Sequence, residues 1–120
     1  MNTVAVIGAT ENPQRYAYTA QKLLLTKGYT VLPVTPKYQR VLGVRAYASV
    51  RDIEEPVDTV SIYVNPHTVR SIAGDIVALR PRRIIFNPGT EDEHTEKMAR
   101  ARHIHTVSAC TIVLLKTDQF

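Results

Sequence analysis

Three features of the sequence predict an open α/β sheet of Rossmann type. Short apolar runs such as TVAVIG (3–8) are rich in β-branched residues and lack the alternation of a half-exposed strand, so they read as strands buried on both faces. Segments of helical spacing separate these runs, and strands joined by helices must pair in parallel through right-handed crossovers. Most of the strands end at Gly, Pro or Asn, the punctuation of a strand-to-helix turn. The expectation is one three-layer domain over 1–120, with five or six strands in the order 3-2-1-4-5-6.

The elements follow in chain order. After the first strand, Ala17, Ala20, Leu23 and Leu24 recur at helical spacing between Tyr16 and Lys27, and Gly28 supplies the stop. TVLPV (30–34) is the second strand, VRAYA (44–48) is a short edge strand and the optional sixth member, and SVRDI is one helical turn capped by Ser49. DTVSIYV (58–64) is the next long strand, with Asn65-Pro66 after it as an N-cap and first-turn proline. Val69, Ile72, Ala73, Ile76 and Leu79 mark one face of the helix that follows. RRIIF (82–86) is a strand, and Thr90 with Glu93 has capping-box spacing for a helix to about Arg102. IHTVSA (104–109) closes the sheet, and the tail CTIVLLKTDQF fits either a helical turn or an extended edge.

Composition narrows the function classes. No apolar run approaches the roughly 20 residues that cross a bilayer, so no membrane role is expected. The N-terminus enters TVAVIG without a basic n-region or cleavage site, and Cys110 stands alone, which suits a reducing, cytoplasmic setting. The net charge of +4 favours an anionic ligand, although the bases are scattered. The densest group, Arg80, Arg82 and Arg83, falls at the N-terminal end of a strand and reads as a solvated face. Aromatics make up 7% of the chain and do not alternate with the bases, so no nucleic-acid partner is expected.

Ligands of open parallel sheets bind beyond the carboxyl ends of the strands. Four of those ends, GATENPQR, PVTPK, YVNPH and FNPGT, are rich in Pro, Asn, Thr or Gly and would meet on one rim with helix N-termini suited to phosphate. A dinucleotide fingerprint needs further glycines and an acid about 20 residues on. Gly8 is the sole glycine of its loop, and no acid follows strand two before Asp52, so NAD is disfavoured. Lys37 suits an extra ribose phosphate, as in NADP or coenzyme A, and Arg15 suits a diphosphate.

The segments VAVIGATENPQRYAY, GYTVLPVTPK and LGVRAYASVRDIEEPVDTVSIYVNP resemble the small single-domain CoA-binding proteins. That family is similar in turn to the N-terminal CoA-binding domain of the succinyl-CoA synthetase alpha subunit. The resemblance implies a site for coenzyme A or an acyl-CoA, with NADP the lesser alternative. It implies that Gly8, Ala9 and Thr10 form a phosphate loop continued by Asn12, Pro13 and Arg15. It further implies that Val34, Thr35, Pro36 and Lys37 meet the adenosine and its ribose phosphate. Tyr63, Val64, Asn65 and Pro66 would line the groove, and Asn87, Pro88 and Gly89 would lie near the pantetheine path. The chain departs from the family at NPG, where Q-x-G is usual, and at SACT, where Asp-Arg-Cys-Pro is usual.

Catalytic apparatus is not identifiable from the residues. His67, His94, His103 and His105 lack the spacing of a metal site, and Cys110 has no visible base. The run TEDEHTE (90–96) reads as a capped helix start. The expected function is a CoA-binding module, serving as a sensor or as the binding subunit of a partner. An NADP-dependent oxidoreductase-like domain and a ligand-free interaction scaffold are the alternatives. A bare edge strand would also suit a homodimer.

Overall fold

The computed structural model describes residues 2–120. In chain order the elements are β1 (Thr3–Ile7), α1 (Tyr16–Thr26), β2 (Thr30–Val34), β3 (Arg40–Val41), β4 (Val44–Arg45), a 3-10 turn (Val50–Asp52), β5 (Thr59–Ile62), α2 (Pro66–Ser71), α3 (Ala73–Ala78), β6 (Arg83–Phe86), α4 (Glu93–Ala101), β7 (His105–Ser108) and α5 (Thr111–Lys116). Five strands pair in parallel in the order β2-β1-β5-β6-β7, as the alternation of strand and helix requires.

Side-chain alternation along these strands builds two cores. Ala5, Ile7, Val60, Ile62, Ile84 and Phe86 face Val69, Ile76, Val77 and Ala99 of α2, α3 and α4. Val4, Val6 and Val31 point the other way, against Leu24 of α1 and Leu115 of α5. Each fully buried Ile, Leu or Phe contributes about 1.5–3 kcal/mol relative to exposure, so both faces are firmly clamped.

The predicted sixth strand is reduced to a single parallel bridge. Tyr47 donates its amide to Pro33 O at 2.8 Å and accepts from Thr35 N at 2.9 Å, while residues 40–45 form a separate hairpin. The order is therefore that predicted for the other five strands, with the outermost member too short to count. The helix expected to start at Asn65-Pro66 and to carry the apolar face Val69 to Leu79 is broken at Ile72 (φ −117°, ψ 13°) into α2 and α3. Its apolar spacing survives because both pieces still face the sheet. The α4 cap is Asp92, whose carboxylate accepts from the Thr95 amide at 3.0 Å and hydroxyl at 2.6 Å, rather than Thr90. The tail is helical, and the turn after Ser49 forms as expected, with Ser49 Oγ accepting from Arg51 N.

Candidate functional site

The strand order reverses between β1 and β5, and a cleft of roughly 700 Å³ opens there at the carboxyl ends. Its walls include Gly8, Ala9, Thr10, Asn12 and Arg15; Thr35, Pro36 and Lys37; Tyr63, Val64 and Asn65; and Pro88 and Gly89. Segments distant in the chain thus meet in one cavity. Tyr16, Ala17, Tyr38, Thr68 and Thr90 line it as well, beyond those singled out from sequence. Adjacency was the signal available for them: each lies within three residues of a predicted member. Tyr16 (78% exposed) and Tyr38 (36%) put two aromatic faces at the mouth.

The loop after β1 is stiffened by its own side chains. Thr10 Oγ1 accepts from Asn12 N at 3.1 Å, Asn12 Oδ1 accepts from Gln14 N at 3.0 Å, and Asn12 O accepts from Arg15 N at 3.1 Å. The amides of Gly8 and Ala9 both donate to Val34 O, at 2.9 and 3.2 Å, so they are not the phosphate donors that sequence reasoning expected. Among the described residues the amides of Thr10, Glu11, Tyr16 and Ala17 have no protein acceptor. Arg15 precedes α1 in extended backbone, with no side-chain cap and no acid in the first turn. The positive end of α1 is therefore left for an anion to answer.

Charge reinforces that bias. Arg15 and Lys37 line the cleft, and no carboxylate does. Glu11, the acid of the loop, accepts instead from Leu42 N at 2.6 Å in the hairpin turn. Thr35 Oγ1 accepts from Lys37 N at 3.2 Å and so fixes the backbone that carries the lysine. A shallower depression beyond Pro36 adds Arg40 and Arg45 beside Lys37.

Gly8 has a structural cause of its own. Its φ is +90°, and a Cβ there would stand 2.9 Å from Val64 Cγ1 and 3.1 Å from the Tyr63 carbonyl group. The close approach of β1 to the end of β5 demands glycine whatever the cleft holds.

Four predicted members lie outside the lining. Pro13 is exposed in the turn before α1, and Pro66 is the first residue of α2. Val34 is a core residue. Asn87 is 2% exposed and clamps three elements: its Nδ2 donates to Ser61 Oγ at 3.0 Å and Ile62 O at 2.9 Å, and its Oδ1 accepts from Thr111 N at 2.8 Å. Its side chain is thus spent on joining β5, β6 and α5. Tyr63 lines the cleft, while its side chain packs against the core on the α1 and α5 side with its hydroxyl buried and unpartnered; burial pushes the phenol up to about 12, offset in part by the nearby Thr111 and Ser61 hydroxyls.

Cys110, half-buried, precedes α5 and does not line the cleft; His67 is exposed at the start of α2 and does not line it either. Among the described residues no group of three His, Cys, Asp or Glu is placed to hold a metal, and no helix is long and apolar enough to cross a membrane.

Fold and cleft define the class: a Rossmann-type α/β module with an electropositive groove at its topological switch point. The chain belongs to the CoA binding domain family, which it matches over residues 2–116. It is 28% identical over 74 residues to the uncharacterized protein YneT of Bacillus subtilis, covering 62% of this chain and 55% of that one. It is 34% identical over 62 residues to the ADP-forming acetate–CoA ligase of Methanocaldococcus jannaschii, covering 52% of this chain and 9% of the ligase. It is 40% identical over 62 residues to the alpha subunit of ADP-forming acetate–CoA ligase II of Pyrococcus furiosus, covering 51% of this chain and 14% of the subunit. The matched stretch thus spans about half or less of these curated relatives. Among solved structures, an uncharacterized protein superposes with a TM-score of 0.94 at 39% identity, covering 100% of this chain and 98% of that one. A hypothetical protein from Pyrococcus horikoshii OT3 superposes at 0.91 and 29%, covering 97% and 82%.

Proposed function

We propose that residues 1–120 act as one module that binds coenzyme A or an acyl-CoA in the cleft between β1 and β5. The observation that carries this reading is a cleft holding Arg15, Lys37 and the open end of α1, with no carboxylate, in a chain of the CoA binding domain family. The diphosphate lies over the free amides of Thr10, Glu11, Tyr16 and Ala17, with Arg15 as counter-charge. Lys37 meets the ribose 3′-phosphate, and the exposed faces of Tyr16 and Tyr38 flank the adenine. Tyr63, Val64, Asn65, Pro88 and Gly89 wall the groove along which pantetheine runs. The module serves in the cytoplasm as a CoA sensor or as the binding subunit of a partner enzyme.

Calorimetry with coenzyme A and dephospho-CoA tests this on wild type and Lys37→Ala. Losing a charge-assisted contact to phosphate should weaken coenzyme A by about tenfold, or roughly 1.4 kcal/mol, and leave dephospho-CoA within about twofold. Equal losses for the two ligands would overturn the role of Lys37. No thermal shift with coenzyme A, acetyl-CoA, NADP or ATP would replace the ligand reading with a scaffold.

A further inference from the structure

The hairpin outside the main sheet carries a charge conflict. Arg40 stands directly opposite Arg45 in the β3–β4 pair, and Val41 opposite Val44. Ala46 N donates to Gln39 O at 2.9 Å, so ladder alternation makes Arg40–Arg45 the closer, non-hydrogen-bonded pair. Val41 is fully buried, which turns the two arginines outward together, and both are exposed. Like charges placed directly opposite destabilise a pair of strands.

Among the described residues no carboxylate forms an ion pair with Arg40, Arg45 or the neighbouring Lys37. Glu11 is taken up by Leu42 N, and Glu55 by the Tyr47 hydroxyl. Arg40 Nη1 donates to Gly43 O at 3.1 Å, and the Arg45 guanidinium lies 5.9 Å from the centre of the Tyr47 ring. Both side chains are thus anchored with their charge and most of their donors intact. Together with Lys37 they line the depression beyond Pro36, and no carboxylate lines it. That depression and the cleft share Thr35, Pro36, Lys37 and Tyr38, so the two are continuous.

We infer that Arg40 and Arg45 are specificity-determining residues for a phosphate monoester, which they grip with Lys37 in this depression. The inference rests on the proposed CoA site and extends its ribose-phosphate end from Lys37 to the hairpin. A phosphate monoester carries a charge of about −1.5 to −2 at neutral pH, more than one lysine answers. Arginine adds a planar fork that meets two phosphate oxygens at once. An anion between the arginines also relieves their repulsion, a cost that the unliganded hairpin carries. A ligand with its diphosphate at α1 and a monoester on its ribose reaches both places. One without the monoester leaves the conflict as it was, so the module selects coenzyme A over dephospho-CoA.

Calorimetry with these two ligands on Arg40→Ala/Arg45→Ala tests the assignment. Coenzyme A should weaken by about tenfold or more, and dephospho-CoA by about twofold at most. The unliganded variant should melt no lower than wild type, because a repulsion has been removed; should it melt lower, Arg45→Gln alone replaces it with the same outcomes. Retained coenzyme A affinity, or equal losses for the two ligands, would overturn the role of the arginines and leave the CoA site standing. If wild type binds neither ligand, the CoA reading itself fails, and adenosine 3′-monophosphate becomes the probe. It should shift the amide NMR signals of residues 37–46 in wild type and not in the variant; signals that stay in place would refute the subsite too.

Discussion

Replacing Asn87 by Ala removes three side-chain hydrogen bonds at a position 2% exposed. Ile62 O, Ser61 Oγ and Thr111 N each lose a partner in a place with little access to water. At about 1 kcal/mol per bond, the expected loss is about 3 kcal/mol. Unfolding entropy near 2.1 cal/mol/K per residue makes this roughly a 12 °C fall in Tm for a chain of this length. Urea unfolding followed by circular dichroism measures the free energy, and a thermal melt gives the second value. A loss below about 1 kcal/mol, with coenzyme A affinity falling instead, would show that Asn87 serves the ligand and not the joint between β5, β6 and α5.

Gly8→Ala should destabilise the fold by about 2 kcal/mol or more in the same urea assay, because a positive φ and a 2.9 Å contact with Val64 coincide. Tyr63→Phe should leave stability unchanged or raise it by up to about 1 kcal/mol, since the buried hydroxyl has no partner to lose. Asp92 is buried, which opposes its ionisation, but the Thr95 hydroxyl and amide with Arg70 outweigh burial and hold the carboxyl below its usual range. Its stabilisation is therefore present above the unfolded carboxylate pKa and lost as pH falls through the lower folded value. Asp92→Asn should flatten that acid limb in a pH series of melts; an unchanged limb would assign the acid sensitivity to other groups such as Asp58, whose carboxyl the Arg82 hydrogen bonds lower.

Sequence by itself determined the strands, their parallel pairing and the rim on which a ligand would sit. Those depend on local signals: β-branched runs buried on both faces, helical spacing between them, and Gly, Pro or Asn at the ends. Pairing order and crossover hand then follow from rules with few alternatives. The charges of Arg15 and Lys37 were legible for the same reason, since each adjoins a strand end whose position the fold already dictates.

Tertiary structure decided what each residue at the rim is free to do. Asn65 and Asn87 stand in near-identical NP sequences, yet Asn65 caps α2 at the cleft wall and Asn87 is consumed inside by Ser61, Ile62 and Thr111. Gly8 and Ala9 look like open donors until Val34 O is found to take both amides, which leaves those of Thr10, Glu11, Tyr16 and Ala17 free. The break at Ile72, the cap at Asp92 and the shrunken sixth strand likewise turned on which partner each backbone group reached. A hydrogen bond between residues far apart in the chain is a fact of three-dimensional position, and no periodicity in the sequence encodes it.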